Sequence, residues 1–145
     1  MQNAASADGQ KGVCKNVHVQ KAWVIFSNDT DLKWVRILKR DFRHCFVIWN
    51  DGHHWLSFDP LFNHAEINVH YQVQSEQDLL NWLRSQNMKF AQANINHTHK
   101  KMAPFGLFTC VEAVKRFLGI HQISIVTPWQ LYRHLQKVNS YKKEL

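Results

Sequence analysis

No stretch of this sequence approaches the ~20 consecutive apolar residues that a membrane-spanning helix needs. Met1 to Gly12 has no apolar centre, so it does not read as a secretory leader, and a cytoplasmic location is expected. Cysteine is scarce: Cys14, Cys45 and Cys110 are an odd number with no Cys-x-x-Cys spacing. A disulfide framework is therefore not expected, and at least one thiol should be free. Histidine is plentiful, but His53-His54 and His97-x-His99 lack ligand spacing and no His-Glu-x-x-His exists to organise them. No metal and no cofactor is expected. There is no internal repeat and no linker long enough to separate a pair of domains, which leaves one domain over residues 17–140. Residues 1–16, rich in small and polar types without periodicity, are expected to be a loosely attached tail, and 141–145 a charged end.

What the chain does have is core material. Apolar residues make up 45% and aromatics 12%, enough for a packed interior in a chain of 145 residues. The formal charge of +7 would suit a nucleic acid or another anionic partner. Its densest clusters are only pairs, Lys39-Arg40, Lys100-Lys101 and Lys142-Lys143, with no interleaved aromatics. That scatter favours a solvated basic surface and leaves nucleic-acid binding as the lesser alternative.

Local patterns place the elements. Lys21–Phe26 reads as a buried strand, and Asp31–Lys39 repeats apolar residues at helical spacing. Arg43–Trp49 and His54–Phe58 are β-branched and aromatic runs around Asp51-Gly52, a strong hairpin signal. A third strand is expected over Ala65–Val73 and another at Lys89–Ala91, with Asn94–Ala103 as an exposed loop. Ser75-x-x-Asp78 caps a helix ending near Gln86-Asn87, and Thr109-x-x-Glu112 forms a capping box for Val111–Leu118, which Gly119 ends. Ser124–Val126 reads as briefly extended, and Thr127-Pro128 opens a last helix running to about Val138. The class is α+β, a small antiparallel sheet packed against helices.

These elements bring three reactive side chains into view. With Thr109 as N-cap, Cys110 is the first helical residue, where unpaired N–H groups and the helix dipole favour a thiolate. The bland alternative is a small buried hydrophobe, which free cysteine often is. A two-residue turn at Asp51-Gly52 makes facing positions sum to 103, which puts His44 opposite Asp59 on one sheet face. An ordinary cross-strand polar pair would look the same. Taken together, Cys110, His44 and Asp59 are a nucleophile, a base and an orienting carboxylate. Cys45 alternates to the other face and is a poor candidate nucleophile for His44.

The runs Phe42–Ile48, Trp55–Pro60 and Phe108–Val114 resemble the circularly permuted branch of the papain-like superfamily, with its NlpC-type hydrolases and lecithin:retinol-acyltransferase-like proteins. In that branch the strand with the histidine precedes the helix with the cysteine. Val126–Leu131 is similar to the segment that often comes after the cysteine helix. The resemblance implies Cys110, His44 and Asp59 as catalytic residues; it carries across no oxyanion side chain, and the Cys110 backbone N–H is the one donor named for that role. It implies hydrolysis of a peptide or cell-wall amide through a thioester, with a peptide or peptidoglycan-like substrate. Acyl transfer is its second implication, and a catalytically inert binding module on the same fold, for instance in a phage assembly, is the rival.

Overall fold

The computed structural model describes residues 20–29, 36–96 and 109–143. The expected tail at 1–16, Cys14, most of the expected helix at 31–39 and residues 97–103 of the expected loop lie outside them. Five strands, β1 (Gln20–Ser27), β2 (His44–Asn50), β3 (Trp55–Pro60), β4 (Ala65–His70) and β5 (Lys89–Ile95), form one sheet in the order β4-β3-β2-β1-β5. Every neighbouring pair is antiparallel. Among the described residues three helices, α1 (Glu76–Ser85), α2 (Cys110–Leu118) and α3 (Pro128–Lys143), complete an α+β fold. Among the described residues no helix is long and apolar enough to cross a membrane.

Alternation along the strands decides which helix lies where. Ala22, Val24 and Phe26 of β1 share a face with Cys45 and Val47 of β2 and with Ala91, Ala93 and Ile95 of β5, and α2 and α3 cover it. Ile25 and Ile48 point the other way and are covered by Leu79 and Leu83 of α1. Each fully buried aliphatic side chain contributes about 2 kcal/mol of transfer free energy, so the two apolar faces hold the sheet between its helices. β2 is the middle strand. Its first residue, His44, is held by what precedes it. Asn28 and Asp41 exchange two hydrogen bonds, at 2.6 and 2.8 Å, and Phe42 is buried against Trp129, Tyr132 and Phe26 at ring distances of 4.8, 5.0 and 5.5 Å.

The structure corrects several boundaries. β5 runs on through Asn94 and Ile95, which the polar composition had assigned to a loop. Its inward residues are small or few, Ala91, Ala93 and Ile95, so the alternation is faint in sequence although each pairs against β1. Ser124–Val126 pairs in no sheet. Ser124 belongs to a turn and the next two residues to neither helix nor strand, with Ile125 buried and its carbonyl accepting from the Lys115 ammonium at 3.0 Å. α3 continues to Lys143, beyond the expected end at Val138, because no capping or breaking residue stops it.

The hairpin turn is centred on Gly52-His53 rather than Asp51-Gly52. The Asp51 carboxylate accepts from the backbone N–H groups of His53 and His54 at 2.8 and 2.7 Å, and Asn50 Oδ1 accepts from the Gly52 N–H at 2.7 Å. These side-chain bonds stabilise a turn one residue later than the dipeptide rule places it. Facing positions now sum to 105, as in Val47↔Phe58 and Asn50↔Trp55.

Gly119 ends α2 with φ 75°, in the left-handed region, and its backbone packs on the Asn96 carbonyl at the end of β5. The Asn96 N–H in turn donates to the Leu118 carbonyl at 3.1 Å. A methyl group there would meet both the backbone penalty and that carbonyl. Gly119→Ala should therefore lower stability by about 2 kcal/mol or more, read from the urea midpoint at unchanged slope. A variant as stable as the parent would show that this junction is not fixed.

Candidate active site

The site forms where the start of β2 meets the start of α2. Thr109 caps α2 with extended φ/ψ of −107° and 164°, and its hydroxyl accepts from the Glu112 N–H at 3.2 Å. The reciprocal half of the expected capping box is replaced. The Glu112 carboxylate runs along the helix to Lys115 at 2.8 Å and Arg116 at 3.1 Å, because a buried ammonium at Lys115 needs a counter-charge more than the cap needs a second bond. Burial acts against ionising Glu112, but these two cations hold its carboxyl below the usual range. At the other end of the helix Phe117 stacks on Phe58 of β3 at 5.3 Å and tilts against Trp49 of β2 at 4.8 Å. Cap and aromatic clamp together set where Cys110 stands.

His44 and Asp59 lie on one sheet face, as the hairpin arithmetic requires, but not directly opposite. Moving the turn centre by one residue shifts each partner by two, and a shift of two preserves the face. Asp59 therefore faces Phe46 and sits diagonally from His44, within reach of a carboxylate and an imidazole. The His44 Nε2 to Asp59 Oδ1 distance is 2.6 Å, with side-chain exposures of 14% and 28%. With Nε2 engaged, Nδ1 is the nitrogen left for Cys110. The His44 ring also stacks on Phe46 at 6.3 Å, which limits its rotation.

Cys110 is half-buried and packs against the α2-side core, of which Cys45 is a fully buried member. Groups from both faces of β2 act on its sulfur. The Cys45 thiol is the strongest influence lowering the Cys110 pKa. Burial opposes it, and His44 and the Cys45 backbone N–H reinforce it, giving a value of about 5. Burial also works against charging His44, yet the Asp59 carboxylate and the Cys110 sulfur outweigh it and raise the ring to about 9. Between these limits the favoured pair is thiolate and imidazolium. Cys45 itself is pushed up, by burial first and then by the negative sulfur beside it, so it remains a thiol donor.

All three expected residues thus come together, joined by Cys45, which strand alternation had set aside. Alternation removed it as a nucleophile, and it does face away from His44. Its position next to His44 at the strand's first turn was the available signal, since a sulfur across the end of β2 can be reached from either face. The remaining histidine pair, His53-His54, belongs to the turn, and His97 and His99 lie outside the described residues. Among the described residues no cluster of three or more His, Cys, Asp or Glu side chains is placed to hold a metal ion.

No family model, no curated protein and no solved structure matches the chain.

The electrostatics make a direct prediction. Iodoacetamide labelling of Cys110 should rise with pH through a midpoint near 5, since protonating the thiolate removes the nucleophile, and should stay high above it, because the sulfur remains a thiolate when His44 loses its proton near 9. His44→Ala and Cys45→Ala should each move that midpoint upward, whereas Cys45→Ser, which keeps a donor, should move it less. Thr109→Ala should cost ~1 kcal/mol of stability and shift the midpoint in the same direction. A Cys110 midpoint near 8.5, the free-thiol value, would contradict the arrangement.

Proposed function

We propose that this chain is a cysteine-dependent hydrolase that cleaves an amide bond through a thioester on Cys110. The observation that carries the reading is the chain of contacts from the Cys110 sulfur at the α2 N-terminus to His44 and on to Asp59 at 2.6 Å. The Cys110 sulfur attacks the carbonyl carbon, and the π electrons move onto oxygen. The backbone N–H of Cys110, at a helix start whose first N–H groups have no intrahelical partner, is the donor this reading assigns to that oxyanion. Collapse breaks the C–N bond as the His44 imidazolium gives its proton to the leaving amine. Neutral His44 then takes a proton from water, which attacks the thioester and expels the thiolate. Asp59 holds the ring's orientation and tautomer throughout.

The order of elements, a histidine strand at β2 before a cysteine helix at α2, supports a permuted papain-like arrangement and with it a peptide or cell-wall type of amide as substrate. Acyl transfer to an acceptor other than water shares the same first half-reaction. A binding module is the rival reading, and it draws on the exposed apolar residues Phe62, Ile67, Val69 and Tyr71 in and around β4. An inert module needs no poised thiolate.

A p-nitrophenyl ester tests the acyl-enzyme before a natural substrate is known. The full chain should release nitrophenolate in a burst and carry one acyl group on Cys110, which water then removes. Cys110→Ser and His44→Ala should each abolish turnover, with the double variant hardly worse than either, because the residues act as one unit. Cys45→Ser should retain it. No burst, or a burst unchanged in His44→Ala, would leave the binding-module reading standing.

A further inference from the structure

Hydrolysis uses one sulfur, and the structure places two together. Cys45 is fully buried in the core beneath α2, while Cys110 is half-buried and packs on that same cluster, near enough for the Cys45 thiol to be the first influence lowering its pKa. Both are free cysteines. Their exposures differ, so a small oxidant arriving from solvent meets Cys110 first, and the sulfur waiting behind it is Cys45. A cysteine thiolate that accumulates is the form that peroxides oxidise, and the fate of the oxidised sulfur depends on whether a second thiol lies within contact.

We infer that Cys110 and Cys45 are a peroxide-reactive pair, Cys110 the oxidised sulfur and Cys45 the thiol that resolves it into a reversible disulfide. In the first step the Cys110 sulfur attacks one peroxide oxygen. An S–O bond forms and the O–O bond breaks, leaving a sulfenic acid, and the departing hydroxide takes the His44 proton to become water. In the second step the Cys45 sulfur attacks the Cys110 sulfur. The S–S bond forms and the S–O bond breaks, and the sulfenic hydroxyl leaves with the Cys45 proton as a second water. Two thiols lose two electrons in total and one hydrogen peroxide gains them. The high proton affinity of Cys45 fits this order: beside a Cys110 thiolate it stays protonated, and the restraint from that charge ends once Cys110 becomes a neutral sulfenic acid. The bond would tie the start of α2 to the start of β2, elements already packed together, and would occupy the sulfur needed for catalysis.

Disulfide formation itself requires only the two thiols. Its consequence for catalysis rests on the hydrolase reading above. The test uses the full-length chain carrying Cys14→Ser, so that the third cysteine cannot pair, treated with hydrogen peroxide and monitored by intact mass and peptide mapping. The chain should lose two hydrogens and yield a Cys45–Cys110 linked peptide. It should resist iodoacetamide and recover labelling after dithiothreitol. Adding Cys45→Ser should leave Cys110 to gain one, then two and three oxygens, the last two beyond rescue by thiol. Stepwise oxygen addition in the Cys14→Ser protein, indistinguishable from that with Cys45→Ser, would overturn the pairing. The two proposals fail separately: a disulfide without any acyl-enzyme burst refutes the hydrolase alone, and a burst without the disulfide refutes the pair alone.

Discussion

The arrangement depends on holding one negative sulfur at the meeting of a helix start and a strand start. A thiolate in a half-buried position is costly unless donors surround it, and here they come from three directions: the Cys45 side chain and backbone N–H, the His44 ring, and the N-terminus of α2. Each lies on an element fixed by apolar packing elsewhere. α2 is clamped by Phe117 on Phe58 and Trp49, and the start of β2 is anchored by Phe42 under α3. The core, in effect, positions the chemistry.

The same geometry explains why the charge is divided as it is. His44 would be a weakly basic buried ring if it faced only the core, since burial is the largest single influence on it. Asp59 reverses this because its oxygen lies at hydrogen-bond distance while its own side chain keeps some contact with solvent. The chain thus uses a carboxylate on a neighbouring strand to keep a proton on a histidine and, through that proton, to keep one off a cysteine. Lys115 and Glu112, further along α2, form a separate buried pair whose task is structural: it fastens the turn after α2 through the Ile125 carbonyl.

Much of this was legible in the sequence because it rests on short-range rules. Thr109 and Gly119 mark the ends of α2 by capping chemistry, Ser75 and Asp78 open α1 with a full capping box, and alternation in β2 separates His44 from Cys45. The face shared by His44 and Asp59 survived an incorrect turn position because parity is insensitive to a shift of two. The extent of β5 was hidden, since alanine and asparagine carry little strand signal and only pairing with β1 makes those residues extended.

Tertiary structure alone decided three things. It moved the hairpin turn to Gly52-His53, through side-chain bonds from Asn50 and Asp51 that no dipeptide rule weighs. It turned Glu112 away from the cap toward Lys115, because burial made that ammonium the stronger claim on the carboxylate. And it brought Cys45 to Cys110 from a distant stretch of the chain. Spacing along a chain determines which residues share a helix face or a strand face, so the sequence determined the helix start that carries Cys110 and the strand face that His44 and Asp59 share. Contact between the ends of two elements depends on how their apolar faces pack, and that is a property of the whole fold.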